Sequence, residues 1–203
     1  MPPYLLLAFA LCPRPGELLA LTPERLIQPR PDAGRYAKHW PILLAPSDSL
    51  VAGKTGEFDE TLRLDWDELD WLHPVLLMLS RRQRGKSVWP FNAKEVRTMF
   101  ADAAKDTLTS VLAATPYSLR HGGASHDALT GRRPLGEIKK KGRWRSDASV
   151  RRYENSALAL AELAKIPEQT HAYSKLVQTH LSAIILNQRP APRPPALLPR
   201  RPD

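Results

Sequence analysis

A chain of 203 residues with 30 Lys and Arg against 21 Asp and Glu, a formal charge of +9, can bury one core and points to a polyanionic partner. Its single cysteine, Cys12, excludes an internal disulfide, and no Cys/His group has zinc-ligand spacing, so a reducing compartment and no structural metal are expected. The apolar stretch YLLLAFAL at 4–11 is too short to span a bilayer and lacks the preceding basic segment of a secretory signal.

Residues 3–11 read as the end of an apolar helix that stops at Pro13, and Pro15 suits the first turn of a second helix, GELLALTPERL. Arg14 then falls in the elbow between the two. Across 36–64 short extended pieces, WPILLAP and ETLRLD, flank the turn-like SDSLVAGKTGEF, which carries Lys54. Leu69, Leu72, Leu76 and Leu79 restore helical spacing, with Pro74 restarting or kinking the helix before RRQRGK. Asn92 serves as the N-cap of a further helix that runs to about residue 105. Ser118 to Leu129 predicts a helix closed by Gly131, the run 135–141 a short one closed by Gly142, and Ser146 caps a turn leading into Tyr153.

Two last helices, about 157–165 and 169–187, are apolar on one face. Leu158, Leu160, Leu163, Leu176, Leu181, Ile184 and Ile185 either pack on the domain's own core or dock into a neighbouring copy. Residues 188–203, QRPAPRPPALLPRRPD, have almost nothing to bury and read as a disordered or polyproline tail. The expected organisation is an α+β domain over 1–187, mainly α-helical with a small antiparallel sheet near its start, followed by that tail.

RPGELLAL, the KTG turn, YSLRH, GRW and RRY, in this order and with this Trp144-to-Tyr153 spacing, resemble the catalytic domain of tyrosine recombinases, the phage-integrase-like enzymes. The likeness runs from about Leu5 to about Leu163. It implies the tyrosine-recombinase catalytic-domain fold and a site-specific recombinase or integrase, of mobile-element origin, that breaks and rejoins DNA. Such an enzyme works through a covalent 3′-phosphotyrosine, with no cofactor, metal or ATP. Residue by residue, the resemblance implies Arg14 as the first active-site arginine with Glu17 after it, and Lys54 as the strand-turn lysine. It makes Arg120 the second arginine, Trp144 the occupant of the His-or-Trp position and Tyr153 the nucleophile. Tyr117 stands where the family usually has histidine, and a phenol is a poor proton shuttle at neutral pH. His121 either orients Arg120 or lies on the helix surface, and His126 reads as ordinary. Double-stranded DNA, a homo-oligomer (a tetramer on DNA) and an intracellular location with DNA are implied as well, with no membrane.

Physical chemistry supports the same roles. A metal-free phosphodiester site needs fixed cations where charge grows in the transition state, and arginine forks supply paired, charge-assisted hydrogen bonds. A tyrosine nucleophile conserves the energy of the broken bond for religation, and a lysine on a hairpin tip can protonate the leaving 5′ oxygen. Trp144 offers one indole N–H to a phosphate oxygen. Arg14 and Arg120 are also expected to bind DNA, with Lys139, Lys140, Lys141, Arg143 and Arg145 of KKKGRWR, which would make affinity strongly salt-dependent.

The chain starts almost directly at Arg14, without the N-terminal helical clamp domain of such enzymes, so weak or non-specific DNA binding is expected. Two other readings compete. One is a truncated or decayed DNA-binding module that no longer cuts. The other is an unrelated helical interaction protein, in which Arg14, Lys54, Arg120 and Tyr153 would be scattered in space.

Overall fold

The computed structural model describes residues 1–34, 37–44 and 60–197; Lys54 and its turn lie outside them. Helix α1 (Pro2–Leu11) is apolar all round, and Tyr4, Leu7, Ala8, Ala10 and Leu11 are buried. A helix with no polar stripe takes the centre of a domain. It ends at Cys12, whose φ of 52° turns the chain ahead of Pro13. Pro15 opens α2 (Pro15–Leu19), where the backbone N–H of Arg14 donates to Glu17 Oε2 at 2.7 Å. This second helix is shorter than GELLALTPERL suggests, because Thr22 is held extended before Pro23 and a 3-10 turn, Pro23–Arg25, follows.

Strands β1 (Trp40–Leu44) and β2 (Glu60–Leu64) pair antiparallel, with Trp40 opposite Leu64 and Leu44 opposite Glu60. Their alternation sends Trp40, Ile42, Leu44, Leu62 and Leu64 into the core. The Leu69-to-Leu79 periodicity is divided at Pro74: a 3-10 segment, Asp67–Leu72, gives way to α3 (His73–Ser80). Asn92 caps α4 (Ala93–Asp106) in full, accepting from Lys94 and Glu95 N–H at 2.9 and 3.1 Å while Glu95 accepts from Asn92 N–H.

A second, smaller core joins Cys12 to Ala124, Ile138, Val150 and Tyr153. It is built by α5 (Ser118–Leu129), α6 (Leu135–Gly142), α7 (Ala148–Arg151) and the 3-10 turn Arg152–Glu154. A Cβ at Gly123 would overlap the Phe9 carbonyl oxygen, so α5 lies closer to α1 than a larger residue permits. Gly131 closes α5 with φ 66°, as expected. Gly142 does not close α6: it stays helical and Arg143 takes the left-handed φ of 54°. The absent Cβ of Gly142 instead leaves room for the Trp144 ring.

Helices α8 (Ser156–Leu163) and α9 (Glu168–Ile185) follow, the latter tied down by Thr170 Oγ1 donating to the Thr107 carbonyl at 2.7 Å. Leu158, Leu160, Leu163 and Leu176 are exposed. Part of the stretch expected as a disordered or polyproline tail, 188–197, is among the described residues. Gln188 and Arg189 N–H donate back to the Ala183 carbonyl, and a 3-10 turn, Pro195–Leu197, packs against α4 and α9 with Pro195 buried. The fold is mainly helical with one small antiparallel sheet, and no described helix is long and apolar enough to cross a membrane.

Candidate active site

Arg120 lies in the first turn of α5 and is 2% exposed. Its Nη1 donates to the Cys12 carbonyl at 2.5 Å, and its Nη2 donates to the Gly142 carbonyl. One side chain thereby fastens the ends of α1 and α6 to α5. The Trp144 ring covers the guanidinium at 4.5 Å from Cζ to centroid, a cation–π contact, and the buried Nε has no hydrogen-bond partner among the described residues. Burial pushes the Arg120 pKa down, the charges of Arg143 and Arg14 add to this, and Tyr117 and Glu17 oppose it. The guanidinium keeps its charge regardless.

Tyr153 is 3% exposed in the 3-10 turn after α7, resting on the core of Val150 and Ile138. Ser146 starts that approach as expected, its Oγ accepting from Ser149 N–H at 3.3 Å. The Tyr153 hydroxyl lies 2.5 Å from His121 Nδ1 and accepts from Arg152 Nη2 at 3.2 Å. The rings of Trp144 and His121 stand 5.1 and 5.7 Å away. Burial pushes the phenol pKa up, while the hydrogen bond and charge of Arg152 and the charge of Arg120 pull it back. Burial also pushes the His121 pKa down, and Arg152 and Arg120 push it further. Tyr117 is 45% exposed and sets its ring edge-on to His121 at 4.9 Å. Among the described residues it is His121, not Tyr117, that bonds the Tyr153 hydroxyl.

Glu17 organises the cations around Arg120. It pairs with Arg14 Nη1 at 2.7 Å and with Arg143 Nη2 at 2.5 Å, while Arg143 Nη1 reaches Glu60 Oε2 at 2.9 Å. Burial alone would raise the Glu17 carboxyl, but hydrogen bonds from Arg143 and Arg14 outweigh it and hold the pKa below the ordinary range. The basic run is thus divided. Arg143 and Lys141 serve the fold: Lys141 is 2.6 Å from Asp127, a fully buried carboxylate that also has Arg133 at 3.6 Å. Buried charges need such partners, so a phosphate would have to displace carboxylates to reach either cation. Lys139 pairs with Asp147 at 2.6 Å, and the side chains of Lys140 and Arg145 are exposed.

The structure brings Arg14, Tyr117, Arg120, Trp144 and Tyr153 into one neighbourhood rather than scattering them. Away from it, His39, Asp67 and Asp70 bring potential metal-ligand atoms within 4.8 Å of one another, but Asp67 already faces Lys38 at 3.6 Å. Sequence reasoning missed the His121–Tyr153 bond, Arg152 and the Arg143 ion pairs. The i, i+4 spacing of Tyr117 and His121 does put both on one face of α5, which is a usable signal. No protein-family model, no curated protein and no solved structure matches this chain. The functional reading therefore rests on these side chains and their geometry.

Proposed function

We propose that this chain is a tyrosine-recombinase-type catalytic domain, which breaks and rejoins double-stranded DNA through a 3′-phosphotyrosine on Tyr153. The observation that carries the reading is one buried tyrosine hydroxyl that is hydrogen-bonded to a histidine and an arginine and feels the charge of Arg120 as well. Arg14 and Arg120 would hold the non-bridging phosphate oxygens, and Arg152 would stabilise the oxygen that attacks. Lys54 carries the expectation of an acid for the leaving 5′ oxygen. The exposed Leu158, Leu160 and Leu163 offer a face to a second copy on DNA. Sedimentation showing only one protein per DNA would remove that last element.

One observation favours the competing reading, a DNA-binding module that has lost cleavage. Arg120 and Tyr153 are both buried, with the Trp144 ring over the arginine, so this state offers neither group to a phosphate. A nicked suicide duplex, from which the cut fragment diffuses away, separates the two. A covalent adduct on a denaturing gel that Tyr153→Phe abolishes supports the enzyme. Salt-sensitive DNA binding with no adduct supports the module, and neither binding nor adduct sinks both.

A further inference from the structure

With Tyr117 where the resemblance would put a histidine, the proposed nucleophile lacks its expected proton acceptor. We propose that His121 is that acceptor: the catalytic base stands directly after Arg120, its Nδ1 lone pair aimed at the Tyr153 hydroxyl. This rests on the reading of Tyr153 as nucleophile. The oxygen-to-nitrogen distance of 2.5 Å is within direct transfer reach. Arg152 Nη2 lies 3.2 Å from the hydroxyl and 3.5 Å from the same Nδ1, and a guanidinium can only donate. The tautomer with a lone pair on Nδ1 and the ring proton on Nε2 suits all three contacts, the hydroxyl donating to His121 while accepting from Arg152.

The charged and titratable groups that face the imidazole are Arg152 and Tyr153 from the turn after α7, Arg120 from α5 and Tyr117 at its N-cap. The two cations and burial favour neutral His121, the form that can take a proton. A bound phosphodiester brings negative charge that offsets those cations as the imidazolium forms. As the Tyr153 oxygen bonds to phosphorus, its proton passes to Nδ1. The P–O5′ bond breaks with its electron pair on the 5′ oxygen, which takes a proton from the acid for which Lys54 stands. Religation runs the same transfers backwards. Tyr117, with its ring half out in solvent, only packs against the base.

The test is single-turnover adduct formation on the nicked suicide duplex between pH 5 and 9, with wild type, Tyr153→Phe, His121→Asn and His121→Ala. The amide oxygen introduced by His121→Asn stands near the position of Nδ1 and can accept the tyrosine hydrogen bond, but it cannot hold the proton. His121→Asn is expected to keep the wild-type Tm and DNA affinity yet lose rate by ~10²–10⁴-fold. It should also lose the acid limb on which wild type slows as His121 is protonated. Added imidazole should restore part of the rate of His121→Ala. A wild-type rate in His121→Asn, the same acid limb in both proteins, or a folded His121→Ala indifferent to imidazole overturns the assignment while leaving Tyr153 as nucleophile. No wild-type adduct, or an adduct that survives Tyr153→Phe, overturns the functional reading and the base together.

Discussion

Gly123→Ala sets two effects of known sign against each other. Replacing glycine by alanine inside a helix such as α5 is favourable by about 1 kcal/mol. Here the new Cβ would overlap the Phe9 carbonyl oxygen and lie 2.9 Å from Cys12 Sγ and 3.0 Å from the Phe9 carbonyl carbon, where ordinary contact begins at 3.4 Å. The obstruction is backbone of α1, which cannot rotate aside, so α1 and α5 must separate. Overpacking of this kind typically costs about 1–3 kcal/mol and sometimes more, and with immovable backbone in the way the upper end applies. We expect a net loss of about 1–2 kcal/mol and, at 2–4 °C per kcal/mol for a chain of this size, a Tm lower by roughly 2–8 °C. Gly136→Ala in α6 is the control, because nothing lies within 4 Å of its Cβ. It should gain about 0.5–1 kcal/mol and raise Tm by roughly 1–4 °C. Thermal melts of both variants beside wild type, followed by far-UV circular dichroism, read the difference. A Gly123→Ala protein that melts at or above wild type would refute the close α1–α5 contact and, with it, the seat that the Cys12 carbonyl gives Arg120.

Asp127→Asn should be among the most damaging single changes, since it leaves Lys141 and Arg133, each with a side chain 11% exposed, around an uncharged amide. A loss of about 3–5 kcal/mol is expected from chemical denaturation, and a change under about 1 kcal/mol would contradict the pairing. Arg120→Lys cannot serve the Cys12 and Gly142 carbonyls together, so denaturation should show about 1–3 kcal/mol less stability even though the charge is kept. Glu17 makes stability pH-dependent: its pKa is depressed in the fold, so its contribution is complete above the unfolded value of about 4.3 and fades as pH falls through the folded one. The Tm gap between wild type and Glu17→Gln should be widest near neutrality and shrink as pH falls below the unfolded value of about 4.3. A gap that stays constant to pH 3 would mean the carboxylate form is not what the arginines hold.

Local signals in the sequence were sufficient wherever one residue type does one local job. Asn92 capping α4, Pro15 opening α2, Pro74 dividing the Leu69-to-Leu79 stretch and Gly131 closing α5 are all short-range chemistry. The misreadings arose where a residue answers to a distant partner. Gly142 looks like a helix stop, yet its missing Cβ is filled by Trp144, and the left-handed turn passes to Arg143, whose guanidinium is fixed by Glu17 and Glu60. Arg143 and Lys141 read from the sequence as cations for DNA, because their carboxylate partners come from α2, β2 and α5, which no local pattern announces. The candidate residues could be picked out as a set in order along the chain. That His121 rather than Tyr117 meets Tyr153 depends on how the turn after α7 packs on α5, and only the fold supplies that.

The two arginines expected to grip phosphate are in different situations, and the difference bears on how such a site would open. Arg14 is half-buried and shares Glu17 with Arg143, whereas both terminal nitrogens of Arg120 are engaged by backbone carbonyls under the Trp144 ring. Any ligand contact with Arg120 therefore requires Trp144 to move. That ring also stands 5.1 Å from the Tyr153 phenol, so a movement of Trp144 changes the surroundings of both groups. Trp144 and Tyr153 belong to one short segment that begins at the left-handed Arg143 and is anchored there by two carboxylates. A shift of that segment about this anchor changes both groups at once while Arg120 stays tied to α1 and α6. On the reading proposed above, the arrangement seen here keeps Tyr153 and Arg120 out of water until a phosphate competes for the guanidinium.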